Sequence, residues 1–323
     1  VASVSPSVGV VGATITITGT GFAGGQTVFI GGVAGSPTHV NGTTKTCPIP
    51  SGVSLTSTLD VTVAGVTLAN AITPLAFASA FTTATGTTQS AVGDGGKWNG
   101  TYSNNDAEGE VIASTGLNFP STNTLRITAI DTVFVRGVKT DLPVPAVGQS
   151  QYHRWYFRPA WPDSTTYSDG QNHPIEGTSG TGGSARNWAF RVNLNQNTNW
   201  SIELYSIAGG GSFASPQFTK AGTYRIELRI SRTGTNTMEF HARIYNSSDT
   251  LLYSDADFNN GSTTLDTNPS LTLTFPDDLD AYQMGNNGWG AGGWSVNDLY
   301  CYQGCFAVSL ADWCGAYQSG EVG

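Results

Sequence analysis

The chain has 323 residues, a net charge of −9 and only 11% charged side chains, well under half the share of about 25% usual in soluble domains. That length is enough for two domains with their own cores. No basic run is present to neutralise phosphates, so nucleic-acid binding is not expected. No apolar run approaches the ~18 residues of a membrane-spanning helix, so no membrane insertion is expected.

In chain order, the first pattern is Val4-Ser5-Pro6 followed by Gly12-Ala13-Thr14-Ile15-Thr16-Ile17-Thr18-Gly19-Thr20-Gly21-Phe22. Ile15 and Ile17 alternate with threonines, the period-2 signature of a half-buried strand. Gly19 and Gly21 then break the strand at a turn. Val28-Phe29-Ile30-Gly31-Gly32, Thr46-Cys47-Pro48-Ile49-Pro50 and Leu59-Asp60-Val61-Thr62-Val63 follow at short spacing, as in a small antiparallel sandwich. From Val1 to about Ala78 this stretch resembles the IPT/TIG family of immunoglobulin-like domains. The resemblance implies a spacer or docking module without catalytic residues, with Cys47 as a buried thiol.

Phe77 to Gly96 is rich in Ala, Thr, Ser and Gly and reads as a linker and domain entry. The expected organisation is an immunoglobulin-like domain over 1–79, a linker over 80–96, a larger domain over 97–312 and a tail over 313–323. In the larger domain apolar–polar alternation recurs at Thr124–Ile130, Thr132–Val135, Trp155–Arg158, Ala189–Leu194, Trp200–Tyr205, Thr223–Ile230, Met238–Tyr245 and Trp294–Tyr302. No stretch keeps a 3.6-residue period, so helix content is expected to be low. The fold class read from these patterns is all-β: an immunoglobulin-like sandwich followed by a larger jelly-roll β-sandwich.

The order of Arg154-Trp155-Tyr156-Phe157-Arg158, Asn172-His173-Pro174-Ile175, Ala221–Arg229, Phe240–Tyr245 and Trp294–Tyr300 resembles the concanavalin-like jelly-roll superfamily over roughly residues 95–305. Its polysaccharide-lyase-like and laminin-G-like branches are the most similar. Alginate lyases of this fold carry an Arg-x-Glu-Leu-Arg strand in their cleft, paired with a Gln-x-His strand, and Arg225-x-Glu227-Leu228-Arg229 is similar to the first. β-Elimination needs a group to neutralise the uronate carboxylate and a base for the C5 proton. The expectation is that the chain has no Gln-x-His partner for Arg225 and Arg229, and so no catalytic residue and no lyase activity. On a strand, Arg225, Glu227 and Arg229 share one face and pair across it, while Ile226, Leu228 and Ile230 fill the core.

All eight tryptophans lie beyond residue 95. Trp161, Tyr167, His173 and Trp289 sit in Gly/Asn/Asp/Pro-rich segments read as loops, where a rigid sandwich displays binding groups. They are the candidate contacts for a glycan or other surface polymer, or for neighbouring subunits, including other copies of the chain or a capsid. No catalytic cofactor is expected. Asp277, Asp278 and Asp280 are the candidates for a structural calcium site, although their spacing is not that of an EF-hand. Cys301, Cys305 and Cys314 lack the paired spacing and fourth ligand of a zinc site, and favour a disulfide of Cys314 with Cys301 or Cys305.

The opening Val1-Ala2-Ser3 fits removal either of a secretion signal or of a methionine alone. An extracellular or virion-surface location is expected. The leading functional reading is a non-enzymatic surface protein, either a phage capsid decoration or fibre protein or an extracellular adhesin. The alternatives are a secreted polysaccharide lyase or glycosidase on the same fold, and a purely structural assembly subunit.

Overall fold

The computed structural model describes residues 1–79, 81, 100–103, 109–115, 119, 122–129, 135–139, 142–160, 170–179, 185–195, 199–206, 212–214, 217–219, 222–235, 237–254, 270–272, 281–285 and 298–309. Among them every regular element is a strand. The architecture is all-β, and the described residues build four sheets.

The N-terminal unit holds β1 (Ser3–Ser5), β2 (Val8–Val10), β3 (Thr14–Thr18), β4 (Val28–Ile30), β5 (Val33–Ala34), β6 (Thr38–Asn41), β7 (Thr44–Pro48), β8 (Leu59–Val63) and β9 (Val66–Leu75). One sheet runs β1-β3-β7-β6 and the other β2-β9-β8-β4-β5. The alternation read from the sequence is what the fold uses. Ile15 and Ile17 of β3 are fully buried while their threonine neighbours face water. Val28, Ile30 and Val61 come from the facing sheet to meet them, with Cys47, a free thiol, closing the same core. Burial raises the Cys47 pKa, as expected of a thiol that packs as a small apolar group.

The chain then enters β10 (Phe77–Ser79), β11 (Gly100–Ser103), β12 (Gly109–Ala113), β13 (Asn123–Ala129), β14 (Val135–Lys139), β15 (Ser150–Ala160), β16 (Gly170–Ser179), β17 (Ala185–Asn195) and β18 (Asn199–Ser206). After these come β19 (Ser212–Ala214), β20 (Phe218–Thr219), β21 (Tyr224–Arg232), β22 (Thr237–Asn246), β23 (Leu251–Ser254), β24 (Ser270–Thr272), β25 (Ala281–Gly285) and β26 (Asp298–Ser309). A nine-stranded sheet follows the path β12-β13-β26-β15-β21-β22-β23, with β10 and β24 attached beside it. An eight-stranded sheet follows β11-β14-β25-β16-β17-β18-β19, with β20 beside β18. The apolar face of the larger sheet carries Trp155, Phe157, Ile226, Leu228, Ile230, Ala242 and Ile244, all essentially inaccessible to water.

Two features depart from the pattern read in the sequence. Residues 170–174, read as part of a loop that carries His173, lie instead in strand β16, paired to both β17 and β25. The register of β16 on β17 shifts between Asn172 and Ile175, and that irregularity accommodates Pro174, which has no N–H for a ladder. The second feature is β10. Its residues belong to the N-terminal unit by sequence pattern, yet they pair antiparallel with β26: Phe77 with Val308, Ala78 with Ala307 and Ser79 with Phe306. On the same side of β26, β13 covers only Asp298–Gln303. β10 therefore continues the ladder where β13 stops. Val8, Leu75 and Ala78 form a small buried cluster there, packed against Val10 and Tyr152 of β15.

Candidate functional site

The chemistry-bearing side chains of the larger unit concentrate on β15, β21 and β22. Along β21 the side chains alternate: Ile226, Leu228 and Ile230 point to the apolar core, and Arg225, Glu227 and Arg229 point to the other face. Cross-strand register then fixes their neighbours. Glu227 lies opposite Arg154 of β15 and Arg243 of β22. Arg225 lies between Tyr156 and Tyr245, and Arg229 between Tyr152 and His241.

The Glu227 carboxylate is the hub of this face. Its Oε1 stands 3.0 Å from Arg154 Nη2 and 3.0 Å from Arg225 Nε, and its Oε2 stands 3.3 Å from Arg243 Nη2. Glu227 and Arg154 are wholly buried, and Arg225 and Arg243 nearly so. Arg225 reaches on to the half-exposed Asp249, and its guanidinium lies 3.9 Å above the Tyr245 ring. Arg229 Nε donates to Ser231 Oγ at 2.8 Å and Ser150 Oγ at 3.3 Å. Burial, then the Glu227 carboxylate, raise the Tyr245 phenol above its ordinary pKa, which opposes formation of a phenolate base.

One expectation needs correction. The sequence holds two Gln-x-His triplets: Gln171-Asn172-His173, on β16 of the eight-stranded sheet and so apart from β21, and Gln151-Tyr152-His153, on β15, the immediate neighbour of Arg225–Arg229 on β21. The register nevertheless separates the β15 triplet from the arginine motif. Gln151 pairs with Ile230 and His153 with Leu228, so both side chains belong to the apolar face, opposite to the arginines. A one-residue slip would have brought all five side chains onto one face.

On that apolar side His153 is 1% exposed and its Nε2 is 2.9 Å from Gln151 Oε1. Gln151 Nε2 donates to the Pro143 carbonyl at 3.2 Å, which fixes the amide orientation. Gln151 Oε1 is then an acceptor, so His153 Nε2 carries the proton of a neutral ring. Burial lowers the His153 pKa to about 3, far below the value near the working pH that suits a general base.

Of the residues singled out from sequence, His173 lies on β16, and Cys301 and Cys305 lie on β26, with Cys301 opposite Arg126 and Arg158. Trp161, Tyr167, Trp289, Asp277, Asp278, Asp280 and Cys314 lie outside the described residues. Among the described residues no cluster of three His, Cys, Asp or Glu side chains is arranged to hold a metal. Arg154 and Arg243 were not read as site residues. Their signal is an arginine at a strand position whose neighbours in sequence, Trp155 and Ala242, are buried.

Residues 1–77 match the IPT/TIG domain family, and the N-terminal unit is an IPT/TIG domain. No curated protein matches the chain. Several solved structures resemble this chain at low identity. An alginate lyase from Aplysia kurodai has 11% identity and a TM-score of 0.45, covering 72% of this chain and 97% of its own. The catalytic domain of a glycoside hydrolase family 131 protein from Coprinopsis cinerea has 13% identity and a TM-score of 0.47, covering 76% and 98%. The binding domain of Paraclostridial Mosquitocidal Protein 1 has 8% identity and a TM-score of 0.40, covering 68% and 46%. Values this low carry no activity over to this chain.

Proposed function

We propose that the chain is a non-enzymatic surface protein. The IPT/TIG unit docks or spaces, and the larger sandwich presents a contact surface for glycan or neighbouring subunits. The observation that carries this reading is the β15–β21 register, with the second triplet, Gln171–His173, on β16 of the other large sheet. The register puts Gln151 and His153 on the core face and leaves Arg225 and Glu227 to a buried ion cluster. The low charge suits an extracellular or virion-surface setting, as a capsid decoration, a fibre protein or an adhesin. Trp161, Tyr167, His173 and Trp289 are the proposed contacts.

The second reading is a polysaccharide lyase, favoured by the presence of both motifs on adjacent strands. Incubation with alginate, pectate and heparin-like polymers separates the two, with ultraviolet absorbance reporting the unsaturated product. No product should form, while Trp161→Ala and Trp289→Ala should weaken attachment to a glycan array or cell surface without unfolding the protein. Sustained product formation that Arg229→Ala abolishes in a folded protein would establish the lyase instead.

A further inference from the structure

The IPT/TIG unit contains an ammonium group with no counter-charge among the described residues. Lys45 and Asp60 are the only charged side chains among residues 1–79. Lys45 sits on the core-facing side of β7, in register with Ile17 and on the same face as Cys47, and is 1% exposed. Its Nζ donates to the Ala23 carbonyl at 2.8 Å. Among the described residues that carbonyl is its one polar partner. Asp60 lies on β8 of the other sheet, exposed, and accepts from the Asn70 N–H. A lysine ammonium has three protons to place, and burying it without an anion is costly.

Lys45 lines a cavity of about 270 Å³ together with Gln26, Gly35, Pro37 and His39. Its walls are fixed. The Ala23 N–H donates to Gln26 Oε1 at 2.9 Å, which closes the turn that holds the Ala23 carbonyl in place. Gly25, in the same turn, has φ +76°, a conformation that favours glycine. A Cβ on Gly35 would stand 2.5 Å from Cys47 Sγ, so that wall also needs glycine. Beside the cavity runs β6, the last strand of its sheet, paired only to β7 and exposed at all four residues. His39 of β6 is the cross-strand partner of Lys45. An open edge of this kind is a template for another extended chain.

We propose that this cavity is a docking site for an acidic side chain of a partner protein, carried on an extended segment laid along β6, with Lys45 as the charge that recognises it. Its volume lies below the ~300 Å³ at the small end of ligand pockets. It fits one carboxylate-bearing side chain rather than a sugar chain. A carboxylate entering it gains a charge-assisted hydrogen bond from an ammonium already stripped of most of its water. This site is independent of whether the larger unit binds glycan.

The test uses the full chain and saturation-transfer NMR at constant ionic strength. The probes are N-acetyl-glutamate methylamide, its glutamine counterpart and D-glucuronate. The glutamate probe should bind saturably, at least tenfold tighter than the glutamine probe and tighter than glucuronate. Lys45→Met, which keeps the stem and removes the charge, should abolish that binding with an unchanged circular-dichroism spectrum and an equal or higher melting temperature. Equal binding of the glutamate and glutamine probes to wild-type protein would overturn the proposal. So would no binding of either, or undiminished glutamate binding by Lys45→Met. Tighter binding of glucuronate would reassign the cavity to a sugar acid.

Discussion

Replacing Glu227 by Gln tests what holds the polar face of the large sheet together. The substitution keeps the volume and one carbonyl oxygen, so a loss of stability reports charge rather than packing. Three guanidinium groups lie within 3.3 Å of this carboxylate, and Arg154 and Glu227 are wholly buried. Breaking one partner of a buried pair typically costs about 3–5 kcal/mol, because the surviving charge stays buried. Arg225 keeps Asp249 as a second anion, which lessens its own share of the penalty. A loss of about 3–5 kcal/mol is therefore expected, a large part of the ~5–15 kcal/mol that holds a domain folded. Urea unfolding followed by tryptophan emission measures it in the right place, since all eight tryptophans lie beyond residue 95. A loss below about 1 kcal/mol would show that the guanidinium groups do not depend on Glu227, and the hub assignment would be wrong.

Two further outcomes follow. The pKa of His153 is depressed to about 3 in the folded state, so the unfolded chain binds more protons between that value and about 6.5. The stability it contributes is complete above about pH 6.5 and falls as pH drops toward 3, by about 2–3 kcal/mol at pH 4.5. Unfolding curves at pH 7 and 4.5 should show this loss in wild-type protein and not in His153→Leu, and equal losses in both would refute it. At the junction, Ala78→Glu places a carboxylate among Val8, Leu75 and Tyr152. It should split thermal unfolding into two calorimetric transitions, only the one belonging to the larger unit changing tryptophan emission. A single transition in the variant would show that this cluster does not couple the units.

Much of the first unit was legible because its signal is local. Ile15 and Ile17 alternate with threonine, and burial follows that alternation residue by residue. The same logic placed Arg225, Glu227 and Arg229 on one face of β21. What alternation within a strand cannot supply is the register between strands. Gln151 and His153 lie two residues apart, as Arg225 and Glu227 do, and only the pairing of His153 with Leu228 reveals that they face away from the arginines. The triplet was overlooked for a simpler reason as well. The strand was read as starting at Trp155, whereas β15 begins at Ser150. Strand β16 was illegible because Gly170-Gln171-Asn172-His173-Pro174 has poor strand propensity. Its two neighbours impose the conformation. Lys45 carried no sequence signal for burial, since long charged side chains usually keep to the surface. Strand alternation puts it on the same face of β7 as the buried Cys47.

The short strand that leaves the IPT/TIG unit also acts as a seal. Beyond Gln303, the side of β26 not taken by β15 is occupied by Phe77, Ala78 and Ser79. Cutting the chain near residue 80 would strip that cover and leave the backbone of Phe306, Ala307 and Val308 as a raw, apolar sheet margin. The larger unit produced alone would carry a sticky end, ready to capture the same margin of another molecule. A fragment that keeps residues 77–79 would retain the strand that closes it. The first unit thus serves the second as its stopper, in addition to whatever it grips on its far side.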